Sequence, residues 1–125
     1  MILVFIRDLI FQTKIQSTAQ ALGMRAVCVR SIQDWERELE EMAPTLLIID
    51  LNAGPDALEV IRAASTRAPE GRPAPRVIAF ASHVDTEVMA QAKAAGAHEV
   101  MPRSRFSSSL PTILPEHEAR YNDPA

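Results

Sequence analysis

The sequence has one cysteine, four glycines and only 5% aromatic residues in a chain of 125. A lone cysteine, Cys28, can close no internal disulfide and offers no metal-ligand spacing. In its apolar run it reads as a small buried hydrophobe. No Gly-rich phosphate loop follows the first apolar segment, which argues against a mononucleotide or dinucleotide site. No serine or cysteine stands in a nucleophile-elbow pattern, and the chain is not expected to be an enzyme. His83, His98 and His117 are scattered without convergent ligand spacing and are expected to be exposed to solvent. There is no basic excess either. The formal net charge is −3, so direct nucleic-acid binding is not expected. No apolar run approaches membrane-spanning length. Met1 to Ile6 is too short for a signal-peptide core and meets Arg7 and Asp8 at once. A soluble cytoplasmic protein without membrane contact is the expectation.

What is present is an ordinary globular balance, 47% hydrophobic and 23% charged, in a length that suits one domain. Short apolar runs alternate with segments of helical spacing. Ile2 to Ile6 is a continuous apolar run of the kind buried on both faces of a sheet. Leu9 to Leu22 places Phe11, Ile15, Ala19 and Leu22 on one helical face, with Gly23 where a helix ends. Ala26 to Val29 reads as a second strand. Ser31 opens a helix with Asp34 as its capping partner, and Ile32, Trp35, Leu39 and Met42 form the apolar stripe. The acidic run from Asp34 to Glu41 is a solvated face.

Leu46 to Leu51 (LLIIDL) is the most strand-like segment, and Pro55 suits the first turn of the helix that follows. Residues 67–75 form a polar, proline-rich connection. Val77 to Ala81 is a fourth strand. Asp85 can cap a helix over Thr86 to Ala95, which Gly96 ends, and Ala97 to Met101 is a fifth strand. Ser107 to Leu114 predicts only a short last helix, stopped by Pro115. Residues 1–115 are therefore read as the domain and 116–125 as a flexible tail. Five β-α repeats imply a parallel sheet with helices on both faces. In such a sheet the functional crevice lies beyond the carboxyl ends of the strands.

The order and spacing of these pieces resemble a response-regulator receiver domain of two-component signalling, over about the first 106 residues. The resemblance rests on ILVFIRD, LLIIDLN, ALEVIR, the SHVD after the fourth strand and AGAHEV before the last. It implies a flavodoxin-like (βα)5 three-layer sandwich with a five-stranded parallel sheet of order 2-1-3-4-5. It also implies that Asp50 matches the aspartate that accepts a phosphoryl group from a histidine kinase. Arg7 and Asp8 fall where two Mg2+-binding acids are expected, and Asn52 where a backbone carbonyl joins the metal. Ala81, with Ser82 beside it, takes the place of a phosphate-binding hydroxyl. Arg103 takes the place of a lysine, and no lysine follows Lys93. Ser104 replaces the usual proline, and Val100 the usual aromatic switch residue.

Asp8 and Asp50 thus remain as candidate Mg2+ ligands, with Asn52, at a site that is possibly lost. Arg7 places a fixed positive charge where a carboxylate would offset that of the metal. Like charges about 4 Å apart repel by several kcal/mol at an effective dielectric near 20. Arg7 is therefore expected to pair with Asp50 or Asp8 and to neutralise them in place of the metal.

The leading expectation is a receiver-like module acting by protein–protein contact, with phosphorylation of Asp50 lost or weakened and no cofactor, or only weak Mg2+. The partner would be a histidine kinase or a downstream signalling protein, which would also carry any output, since no effector domain follows. A homodimer would use a non-standard face, because a short last helix shrinks the usual one. Two alternatives stand beside it: an atypical receiver still phosphorylated on Asp50 with Mg2+, and a flavodoxin-like small-ligand domain. The second would call for a hydroxyl-rich loop where Asp8-Leu9-Ile10-Phe11 stands.

Overall fold

The computed structural model describes residues 1–65 and 74–121. Most of the proline-rich connection expected at 67–75, and the last four residues of the expected tail, lie outside these. Ten elements alternate. They are β1 (Ile2–Phe5), α1 (Leu9–Ala21), β2 (Ala26–Val29), α2 (Ile32–Met42), β3 (Leu46–Asp50), α3 (Asp56–Ser65), β4 (Arg76–Ala81), α4 (Thr86–Ala95), β5 (Glu99–Pro102) and α5 (Arg103–Tyr121). All neighbouring strands are parallel, in the order β2-β1-β3-β4-β5. This is the flavodoxin-like three-layer sandwich expected from the sequence. Among the described residues no helix is long and apolar enough to cross a membrane.

The unbroken apolar strands are buried on both sides, as central parallel strands must be. Alternate residues serve opposite faces. Leu3, Phe5, Leu47 and Ile49 face the core closed by α2, α3 and α4. Ile2, Val4, Leu46 and Ile48 face the core closed by α1 and α5. Trp35 and Phe11 serve packing, as their helical positions suggested. Trp35 meets Phe5 edge-on with centroids 6.0 Å apart, and Phe11 lies 5.1 Å from Phe80. Cys28 is half-buried against the second core, and burial pushes its thiol up to about 11. Capping follows the sequence at α2, where Ser31 accepts from the Asp34 N–H at 3.1 Å. The return half of that box is not made, because Asp34 pairs with Arg37 at 3.0 Å.

Three expectations are corrected. The last helix is not short. It runs for 19 residues, from Arg103 to Tyr121, with Pro111 and Pro115 inside it, so residues 116–121 belong to the helix. An interior proline costs a helix about 3 kcal/mol. Here the two prolines sit one turn apart on the exposed side, where water can take the place of a lost helix hydrogen bond. The opposite side buries Phe106, Leu110, Ile113 and Leu114, each contributing about 1.5–3 kcal/mol, and that burial outweighs the breaks.

His117, second, is buried rather than exposed. It lies on the same inward stripe, with Nε2 3.3 Å from Glu99 Oε2. His83 and His98 are exposed as expected, although His98 Nδ1 accepts the Val77 N–H at 2.9 Å.

Third, β5 starts two residues later than the apolar run suggested. The N–H groups of Gly96 and Ala97 still close the end of α4 on Lys93 and Ala92, leaving β5 to begin at Glu99.

Candidate functional site

Four loops meet at the carboxyl end of the sheet, and their side chains form two linked groups. The first is ionic. Asp8 leaves β1 and caps α1, its Oδ1 accepting from the N–H groups of Ile10 (3.0 Å) and Phe11 (3.1 Å). Asp50 ends β3 with its side chain only 3% exposed. Arg103, the first residue of α5, reaches back between them. Its Nη1 donates to Asp8 Oδ2 at 3.3 Å, and its Nη2 spans both oxygens of Asp50 at 3.3 and 3.2 Å. The guanidinium also lies over the rings of Phe11 and Phe80, 5.4 and 5.7 Å from their centroids. One planar cation is therefore held by two carboxylates and two aromatic faces, a geometry to which arginine is suited and lysine is not.

The two carboxylates are poised differently. The Phe11 N–H holds Asp8 below the ordinary aspartate range; desolvation opposes it, and the Ile10 N–H and Arg103 add to the lowering. For Asp50 burial dominates and raises its pKa, although the Asn52 N–H and Arg103 pull the other way; the charge of Asp8 adds to the rise. An isolated buried carboxylate would be strongly disfavoured. Arg103 offsets part of that penalty without removing it.

Arg7 does not do what its position suggested. Its Nε donates to the Arg30 carbonyl at 3.2 Å, and its Nη2 lies 3.9 Å from Asp56 Oδ2 on α3. It lies across Gly54, where an added Cβ would come within 2.6 Å of Nη1. The neutralising arginine is Arg103, and the physical reason is reach. Arg103 starts a helix whose first turn faces the pocket, whereas Arg7 leaves β1 toward the β2 and α3 side.

The second group is a hydrogen-bonded ring and was not foreseen. Asn52 donates its own N–H to Asp50 Oδ1 at 2.9 Å. Its side-chain oxygen accepts the Ser82 N–H at 2.9 Å, and its side-chain nitrogen donates to Asp85 Oδ2 at 2.9 Å. The Asp85 N–H in turn donates to the Ser82 carbonyl at 2.9 Å, which closes a ring. The sequence did flag Asn52, for its carbonyl, and Asp85, as a helix cap. That cap is not made through the side chain, because Asn52 has taken the carboxylate. Ala81 is fully buried and brings no hydroxyl. Ser82 instead faces an open cleft of about 590 Å³ shared with Phe11, His83, Arg103, Ser104 and Ser107. Val100 packs against the core beneath α4.

These donors do not suit a divalent cation as arranged. Mg2+ asks for oxygen ligands, one or two of them carboxylates, in near-octahedral geometry. Asp8 and Asp50 already share a guanidinium, Asp8 Oδ1 caps a helix, and the Asp85 carboxylate is taken by Asn52. No cluster of three acidic, histidine or cysteine side chains suited to a metal occurs among the described residues. Nor is there a phosphate loop after β1, since Asp8 to Phe11 form a cap and the first turn of α1.

Comparison with known proteins gives the fold a context. No family model matches the sequence, and no curated protein matches it. Solved structures do match. The receiver domain of NtrX from Brucella abortus superposes with a TM-score of 0.81 at 16% identity, over 95% of this chain and 98% of that one. A response regulator from Thermotoga maritima gives 0.78 at 16% identity, over 94% and 96%. An atypical orphan response regulator, described as having a phosphorylation-independent regulatory mechanism, gives 0.76 at 14% identity, over 94% of each chain. The chain has the fold of response-regulator receiver domains.

Proposed function

We propose that this chain is a receiver-like signalling module that works through protein–protein contact, with phosphoryl transfer to Asp50 lost or much weakened. The observation that carries the reading is the Arg103 clasp on Asp8 and Asp50. Phosphoryl transfer to a carboxylate needs charge neutralisation around the transferred group and an in-line approach. In this pocket the neutralising charge is a side chain already spent on the two acids, and the acceptor carboxylate is closed off. A module of this kind signals by which protein it binds, a histidine kinase or a downstream partner. The similarity to an atypical orphan regulator with a phosphorylation-independent mechanism is in keeping with this.

The test is intact mass after incubation with a small-molecule phosphodonor and Mg2+, measured promptly at neutral pH and repeated with a candidate kinase. No phosphoryl adduct is expected. An adduct that disappears in Asp50→Asn would overturn the reading in favour of an atypical but phosphorylated receiver.

A further inference from the structure

Asp85 stands at the N-cap of α4, yet its carboxylate makes no cap hydrogen bond. An Asp at that position ordinarily accepts from the second or third N–H of its helix, here Glu87 or Val88. It is instead held by the Asn52 side chain at 2.9 Å. Asn52 is fixed at its other end by Asp50, through its N–H, and by Ser82. A single carboxylate thus has two competing partners, one tied to the ionic pocket and one belonging to α4. The orientation of the Asn52 amide is the only one that serves both the Ser82 N–H and the Asp85 carboxylate.

We propose that Asp85 is a latch that reports the state of Asp50 to the N-terminus of α4. When Asn52 is held by Asp50, Asp85 is kept on Asn52 and α4 begins uncapped. When that hold is released, Asp85 turns to its own helix and caps it. This gives the fold a two-state element that does not need a hydroxyl at position 81 or an aromatic ring at position 100. The segment it controls is exposed, with Val84 at 69%. A shallow cleft of about 420 Å³, lined in part by Val84, Thr86, Val88 and Gln91, lies beside it. The inference rests on the reading of the chain as a receiver-like signalling module, but not on whether Asp50 is phosphorylated.

Amide hydrogen exchange on the full chain tests it. In Asn52→Ala the amides of Glu87 and Val88 should exchange about fivefold more slowly, the size of one helix cap. The double variant Asn52→Ala/Asp85→Ala should lose that gain. In Asp50→Asn, which removes the charge without any phosphodonor, the same two amides should respond, and adding Asn52→Ala should abolish the response. Unchanged protection at Glu87 and Val88 in Asn52→Ala would overturn the latch. So would a response to Asp50→Asn that survives without the Asn52 side chain. Because no phosphorylation is involved, failure here is distinct from the appearance of an adduct in the mass experiment.

Discussion

On the face covered by α1 and α5, the sheet is closed by large side chains. Phe80 and Phe106 stack with centroids 4.5 Å apart and planes 11° from parallel, Phe11 leans on both, and Leu110, Ile113 and Leu114 fill the remainder. On the face covered by α2, α3 and α4, much of the closure is alanine: Ala53, Ala57, Ala79, Ala81, Ala92 and Ala97. The ring-lined face also supports the site, because Phe11 and Phe80 carry the Arg103 guanidinium. Asp50 ends β3, and on the alanine-lined side α4 begins after Asp85. What joins them is a run of hydrogen bonds through Asn52. One face holds the pocket in a single arrangement, and the other leaves room for a change to be passed on.

The two faces should break differently. Emptying the ring-lined face has the largest expected effect. Phe106→Ala removes a fully buried ring and should cost about 3–5 kcal/mol in denaturant unfolding. The alanine face is sensitive to filling, and Ala92→Leu should cost about 1–3 kcal/mol through overpacking. Equal losses for the two would contradict the contrast.

Arg103→Ala comes next. It leaves Asp50 buried without its cation, and about 2–3 kcal/mol should be lost at neutral pH. A carboxylate whose folded pKa is raised disfavours the folded state while ionised. The stability of this variant should therefore rise as pH falls toward and through the folded pKa of Asp50. Urea unfolding at several pH values measures this, and a loss that does not diminish on acidification would contradict it.

His98 provides a smaller effect of known sign. Although the residue as a whole is exposed, desolvation of its ring lowers its pKa below 6.5, and Arg76, Lys93 and His117 add to that. The neutral imidazole accepts the Val77 N–H, so its contribution is full above 6.5 and is lost as pH falls below it. Thermal melts from neutral pH down to about pH 5 should show a decline that His98→Asn reduces.

Arg7→Ala should be the mildest, under about 0.5 kcal/mol, since its ion pair is half exposed and long. Were Arg7→Ala as damaging as Arg103→Ala, the two arginines would have been assigned the wrong way round.

The strands and the residues that end them were legible because buried parallel strands leave unbroken apolar runs and each run has a definite end, while their order in the sheet came with the family resemblance. Asp8 and Asp50 stand at two of those ends, and the family resemblance added Arg103 to the pocket. The choice between Arg7 and Arg103 was not legible. It depends on the direction in which a side chain leaves its element, and spacing does not carry that. The length of α5 was misread because Pro111 and Pro115 are strong stop signals locally. Only the buried stripe through Phe106, Leu110, Ile113, Leu114 and His117 shows that they sit on the wet side. That stripe was present in the sequence at helical spacing, and extending it past Pro115 to His117 would have found it. The ring through Asn52, Ser82 and Asp85 joins loops 30 or more positions apart, and no local pattern announces such a contact.

The central claim is that Arg103 occupies the place between Asp8 and Asp50 that a divalent cation would need. Calorimetric titration of Mg2+ into the wild-type chain and into Arg103→Ala tests it most directly. The account predicts no binding to the wild type at millimolar Mg2+ and measurable binding to the variant, abolished again by adding Asp50→Asn. Submillimolar binding to the wild type, lost in Asp50→Asn, would contradict it.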